Sequence, residues 1–279
     1  MSAPRPLPRL IATDLDGTLL DGRRELTART VAAVHAAVAR GIEVVLVTAR
    51  PPRTVAPLMA RLGDGVEALC GNGTLLAEYS PDGTWRSTLI KAFEPAQAAL
   101  IVAQLRPVLP DAGFALETGE RVIYEAAFGL GAVTDGRRVL TDDLSGAIAA
   151  AGSSIKVLAR ARQREADDMV VLAEQTLSVA AEISHSGGRG LLEIAPAGAS
   201  KASGLAWLCA RRGIAAEQVV AFGDMPNDLP MLRWAGVGHA VANAHPEVLA
   251  AADRVIGHHA EDAVAAVLEA LLADAPSAH

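Results

Sequence analysis

The chain has 279 residues, of which 51% are hydrophobic, 20% charged and only 3% aromatic. That length gives one large or two moderate domains with a real core, and the composition excludes both a disordered chain and a disulfide-stapled miniprotein. A net charge of −7 with no Lys/Arg-rich block argues against nucleic acid as a partner.

Arg, Asp, Glu or Gly interrupts every apolar run well short of a membrane span, so no membrane partner is expected. Cys70 and Cys209 form no CxxC, which signals neither zinc nor a disulfide. The opening MSAPRPLPRL lacks the unbroken apolar stretch of a signal peptide. A soluble protein of the reducing cytoplasm is the expectation.

In chain order, Leu10 to Thr13 reads as a short strand and Asp14 to Thr18 as a polar turn. A helix capped by Thr27 follows, ending near Arg40 at Gly41. The β-branched run Glu43 to Thr48 suits a strand covered on both faces, completing a βαβ unit. A second helix after Pro51-Pro52 and a short strand, Ala68 to Cys70, lead to the turn Gly71-Asn72-Gly73.

The middle of the chain changes style. Strands are expected at Trp85 to Ala92, Phe114 to Glu117, Arg121 to Glu125, Ser154 to Ala159, Val179 to Ser184 and Leu191 to Ile194, with helices at Pro95 to Leu109 and Glu165 to Leu177 and a mobile stretch from Gly129 to Gly136. Beyond it come a helix, Gly204 to Arg212, a strand, Gln218 to Phe222, and helices at Leu229 to Ala235 and Asp262 to Leu272. The order predicts an α/β domain, residues 1–83 and 190–279, into which an α+β domain, residues 84–189, is inserted.

Two motifs carry chemistry. In Asp14-Leu15-Asp16-Gly17-Thr18-Leu19-Leu20, two carboxylates follow a strand at the end where open α/β sheets bind ligands, so that one can attack while the other moves protons. An isolated Asp-x-Asp would read as a polar turn; the whole heptad at a strand end does not. In Gly223-Asp224-Met225-Pro226-Asn227-Asp228, again after a strand, Asp224 and Asp228 offer hard oxygen ligands suited to Mg2+, although alone the loop could merely cap a helix. Thr48, at a strand end, could give its hydroxyl and backbone N–H to an oxyanion. Lys201, at a helix start, could hold phosphate, though a lone lysine there is usually just solvated.

Together DLDGTLL, Thr48 in VTAR, Lys201 in ASKASGL and GDMPNDLPML resemble the haloacid dehalogenase superfamily, and within it the Cof-type phosphohydrolases of subfamily IIB. The resemblance implies a Rossmann-like parallel-sheet core with a type-two cap domain between Thr48 and Lys201, whose side chains choose the leaving group. It implies Asp14 as nucleophile and Asp16 as acid and base. Thr48 and Lys201 would hold phosphate oxygens, while Asp14, the Asp16 carbonyl and Asp224 would bind Mg2+. Asp228 would orient water or Lys201 without touching the metal, and Asn72 and Asn227 would lie near the phosphate. Ala49 departs from the family's usual Gly, at a position that offers only backbone.

The expected activity is a Mg2+-dependent phosphatase of small phosphorylated metabolites, sugar phosphates foremost, in a monomer or small homo-oligomer. A sugar phosphomutase with the same nucleophile and a non-catalytic phosphometabolite-binding protein are the alternatives. Arg50 and Arg53 could bind substrate or sit on the surface, of which the surface is expected, and Cys70 is expected as a buried structural thiol. Glu117, Tyr124 and His185 are candidates for contacting the leaving group. His258-His259 reads as a solvated loop, and neither a P-loop nor a dinucleotide fingerprint is present.

Overall fold

The computed structural model describes residues 6–80, 84–130, 137–185 and 190–273. Two units are distinguished: the described parts of Met1–Arg50, Thr54–Thr88 and Ser200–His279 form one, and Pro51–Arg53 with Leu89–Ala199 the other.

The chain opens with strand β1 (Leu10–Thr13), helix α1 (Ala28–Ala39), β2 (Glu43–Val47), α2 (Pro52–Leu62), β3 (Val66–Cys70), β4 (Leu75–Tyr79) and β5 (Trp85–Leu89). Thr27 caps α1, its hydroxyl accepting the Thr30 N–H at 3.0 Å. Cys70 is fully buried, as expected of a structural thiol. The strand β4 was not foreseen.

The second unit continues with α3 (Pro95–Leu105), β6 (Gly113–Glu117), β7 (Val122–Tyr124), β8 (Arg138–Leu140), α4 (Leu144–Ala151), β9 (Lys156–Arg160), α5 (Ala166–Thr176), β10 (Ala181–Ser184) and β11 (Leu191–Pro196). Its sheet has the order β10-β11-β9-β6-β7-β8. Pairing is antiparallel except between β7 and β8. One face packs Phe114, Leu116, Val157 and Ile194 against Ile101, Ile148 and Met169 of the helices. The alternate positions Glu117, Lys156 and Glu193 are buried charges, Lys156 pairing with Glu193. Residues 131–136 of the stretch expected to be mobile lie outside the described residues.

The first unit resumes with α6 (Lys201–Arg212), β12 (Val219–Gly223), α7 (Leu229–Trp234), β13 (Val237–Ala240), α8 (Pro246–Ala251), β14 (Arg254–Val255) and α9 (Ala263–Ala273). Its sheet runs β14-β13-β12-β1-β2-β3-β4-β5. Pairing is parallel from β14 through β3, and β4 joins antiparallel to β3. The expected α/β class holds. Val44, Val45, Leu46 and Val47 are at most 1% exposed, because helices cover both faces of such a sheet.

Two strands lie on the other side of the expected boundaries. Trp85–Leu89, expected in the inserted domain, edges the eight-stranded sheet next to β4. Leu191–Pro196, expected in the α/β domain, belongs to the second sheet between β10 and β9. Each strand takes its place from its pairing with a neighbour, which composition does not show.

From β1 the chain builds one side of the sheet through β2 and β3, and later builds the other through β12, β13 and β14. The order therefore reverses between β1 and β12, and their carboxyl ends form the crevice where such sheets place their ligands.

Candidate active site

The ends of β1 and β12 carry the two acidic motifs into that crevice. The Asp14 N–H donates to the Phe222 carbonyl at 3.0 Å, which fixes Asp14 against the end of β12. Leu15–Leu19 then make one wide turn, closed by the Leu20 N–H donating to the Leu15 carbonyl at 2.9 Å. Gly17 has φ +82°, and a Cβ there would collide with Asp224 Oδ2. Only glycine satisfies both constraints. Next to it, the Thr18 hydroxyl donates to Asp224 Oδ1 at 3.0 Å.

Lys201 is the first residue of α6, a position where the helix dipole disfavours a cation. Carboxylates hold it there instead: Nζ donates to Asp14 Oδ1 at 2.5 Å and to Asp228 Oδ1 at 2.6 Å. Ser200 caps the helix beneath Lys201 by accepting the Ser203 N–H at 3.1 Å. Gly73 presses on this cap. A Cβ at its φ of +82° would meet the Ser200 carbonyl, and this contact ties the Gly71-Asn72-Gly73 turn to the helix start.

Both Asp228 oxygens are engaged, Oδ1 by Lys201 and Oδ2 by the Asp224 and Met225 N–H groups at 3.1 and 3.0 Å. Asp228 thus anchors the loop and the lysine. Asp14, Asp224 and Asp228 each place a carboxylate oxygen within 4.8 Å of the others, all three buried. Lys201 takes Asp14 Oδ1 and Thr18 takes Asp224 Oδ1, so the second oxygens of Asp14 and Asp224 are the pair suited to a hard divalent cation. This donor set fits such a metal.

Electrostatics point the same way. Burial raises the Asp14 pKa from 3.8 to about 7, against the pull of Lys201 and with help from the Asp228 charge. Burial, then Asp228, raises Asp224 from 3.8 to about 6, opposed by the Thr18 hydrogen bond. Burial works against the Lys201 charge, but Asp14 and Asp228 outweigh it and its pKa is raised. One buried ammonium faces three carboxylates, a surplus of negative charge that a second cation would offset.

Thr48 is buried at the end of β2. Its N–H donates to the Leu69 carbonyl at 2.9 Å, so of the two donors expected for an oxyanion only the hydroxyl is available. The Thr48 carbonyl accepts the Asn72 N–H at 2.9 Å, and Asn72 Oδ1 lies at a long 3.5 Å from Asn227 Nδ2. Asn72 has φ +59°, a conformation Asn tolerates. Thr48, Asn72 and Asn227, distant in sequence, are thereby brought together.

The profile of the haloacid dehalogenase-like hydrolases matches residues 11–268, which covers both acidic motifs, Thr48 and Lys201. The chain belongs to this family. The Cof-type assignment made from the motifs holds. This haloacid dehalogenase-like hydrolase is 28% identical to pyridoxal phosphate phosphatase YbhA of Escherichia coli, over 92% of its own length and 96% of the relative's. It is 29% identical to an HMP-PP phosphatase of Cronobacter sakazakii, over 93% and 94% of the two chains. A solved haloacid dehalogenase-like hydrolase of Bacteroides thetaiotaomicron superposes with a TM-score of 0.77 at 25% identity, covering 95% of this chain and 99% of that one.

In this hydrolase Asp16 stands apart from the buried acidic cluster. Its carboxylate accepts from Arg50 Nε at 2.7 Å and from Arg50 Nη2 at 2.5 Å. Arg50 and Arg53 are therefore not the surface residues expected: their side chains are 25% and 12% exposed, and Arg53 makes a two-armed pair with Glu117 in the second unit. The pairing of Arg50 with Asp16 is what the sequence did not show, because the two residues lie on different strand ends.

Of the leaving-group candidates, Glu117 is held by Arg53 and His185 Nε2 lies 2.9 Å from Asp167 Oδ1. Tyr124 is buried with Ala115, Val122 and Phe128. Ser186 to Gly188 lie outside the described residues. His259 is half-buried, its Nδ1 2.7 Å from the Leu20 carbonyl, so the His258-His259 loop is partly packed. Among the described residues no helix is long and apolar enough to cross a membrane.

Proposed function

We propose that this hydrolase is a Mg2+-dependent phosphatase of small phosphate monoesters, sugar phosphates foremost, working through an aspartyl-phosphate on Asp14. The cytoplasm and a monomer or small homo-oligomer belong to the same reading. Family and relatives make it a hydrolase of phosphoric monoesters. The observation that carries the finer reading is Lys201, buried and bonded to both Asp14 and Asp228 at the switch point of the sheet.

Asp14, Asp224 and the main-chain carbonyl of Asp16 would hold the metal. Bound there, Mg2+ supplies positive charge to an anionic ester that must meet an anionic nucleophile. The chain's own residues do the rest. Asp14 forms a bond to phosphorus as the bond to the ester oxygen breaks, and Asp16 gives its proton to that leaving oxygen. Water then attacks phosphorus, Asp16 takes the water proton, and inorganic phosphate leaves with the Asp14 carboxylate restored. Lys201 has three N–H donors and spends two on carboxylates, so the third can hold a phosphate oxygen beside the Thr48 hydroxyl.

The test is phosphate release from a panel of hexose, pentose and polyol phosphates, pyridoxal phosphate and flavin mononucleotide. Turnover that needs Mg2+ and stops on chelation supports the reading. Turnover indifferent to chelation contradicts it.

A further inference from the structure

Asp16 is the one acidic residue of the first motif whose side chain reaches solvent, at 42% exposed, and it sits on a turn whose backbone is non-helical at that residue. A carboxylate in that setting has several rotamers open to it, and acid–base work needs one. The structure supplies a constraint from a different strand. Arg50 places two guanidinium arms on the two Asp16 oxygens, the planar fork that fixes a carboxylate in angle as well as distance.

Arg50 is itself held. Its N–H donates to the Thr48 hydroxyl oxygen at 3.1 Å, and its carbonyl accepts the Gly71 N–H at 3.0 Å. The Thr48 carbonyl in turn accepts the Asn72 N–H. One short segment after β2 therefore carries a phosphate-facing hydroxyl and, two residues on, the group that aims the acid–base carboxylate. Both arms of Arg50 end on Asp16.

We propose that Arg50 is the positioning residue of Asp16: its fork holds the ionised carboxylate that takes the water proton, and when Asp16 is the acid the arm on the protonated oxygen lets go while the other keeps the group aimed, so that Arg50 touches no reacting atom itself. The proposal rests on the phosphatase reading above and goes beyond it in assigning a role to Arg50.

The experiment compares kcat/KM for wild type, Arg50→Ala and Arg50→Lys on two kinds of ester. Primary-alkyl phosphates (glucose 6-phosphate, glycerol 3-phosphate and pyridoxal 5′-phosphate) expel an alkoxide that needs a proton. p-Nitrophenyl phosphate expels a stable phenolate that does not. Since kcat/KM reports the steps up to enzyme phosphorylation, loss of aim should cost Arg50→Ala about 10- to 100-fold on alkyl esters and less than about 3-fold on the nitrophenyl ester.

Arg50→Lys should show the same selective pattern at smaller size, since one ammonium cannot span both oxygens. Millimolar guanidinium should restore part of the alkyl-ester rate to Arg50→Ala. Equal losses on both esters, or a rise in KM alone, would make Arg50 a substrate contact and overturn the proposal, as would unchanged rates. Wild-type enzyme that turns over neither ester would overturn the phosphatase reading together with it.

Discussion

Lys201 Nζ lies 2.5 Å from Asp14 Oδ1, with 2% of the lysine side chain and 8% of the aspartate exposed. The same ammonium holds Asp228, whose side chain is fully buried. Removing the cation leaves two buried carboxylates without their main counter-charge, a change that costs about 3–5 kcal/mol where one partner of a buried pair is deleted. Lys201→Met should lose that much stability in urea unfolding. The loss should be smaller at about pH 5 than at about pH 8, because Asp14, whose pKa burial raises to about 7, can take up a proton.

The Asp14 pKa lies at about 7 in the folded protein against 3.8 for the free group. Between those values the folded state binds more protons than the unfolded state, so stability of the metal-free protein falls as pH rises through this window and the penalty is complete above it. Asp14→Asn removes the titration and leaves Lys201 paired with Asp228. It should raise the melting temperature of metal-free protein near neutral pH by a few degrees, on the order of 1–3 kcal/mol, and flatten the slope between about pH 4 and 7. A melting temperature lowered by the substitution would oppose this.

Metal binding should release protons. With Asp14 at about 7 and Asp224 at about 6, a divalent cation at slightly acidic pH must displace protons from both carboxyls. Calorimetric titration of Mg2+ in two buffers of different ionisation heat should show proton release that shrinks above about pH 8, and affinity that rises with pH up to that point. Binding independent of pH would mean these carboxylates are not the ligands.

Much of this site was legible in the sequence because parallel strands buried on both faces read as unbroken apolar runs. Leu10–Thr13, Glu43–Val47 and Val219–Gly223 each end where a polar motif begins. What stayed hidden was set by pairing across the chain. Strand Leu75–Tyr79 exists because it registers antiparallel with Val66–Cys70, and the short Arg254–Val255 has only its pairing with Val237–Ala240 to define it. Arg50 and Asp16 lie on different strand ends, and a composition-level reading sends a lone arginine to the surface. The Thr48 N–H looked available until Leu69 of the neighbouring strand was seen to take it.

Gly17 gives a test of how closely the two acidic motifs are pressed together. Gly17→Ala forces a side chain into positive φ and pushes Asp224 from its Thr18 hydrogen bond. It should cost about 1–3 kcal/mol of stability and weaken Mg2+ binding at least several-fold, read by thermal melting with and without metal. Unchanged metal affinity in a folded variant would show that Asp224 is not a ligand.

Phosphorylation of Asp14 leaves an acyl phosphate that can be trapped chemically. Asp16→Asn enzyme mixed with Mg2+ and p-nitrophenyl phosphate can still transfer phosphate to Asp14 but lacks the base that hydrolyses the product. Acid quenching, borohydride reduction and peptide mass spectrometry should then find homoserine at position 14 and unmodified aspartate at 224 and 228. Homoserine at another position, or a release of nitrophenol beyond one equivalent with position 14 unmodified, would contradict the account.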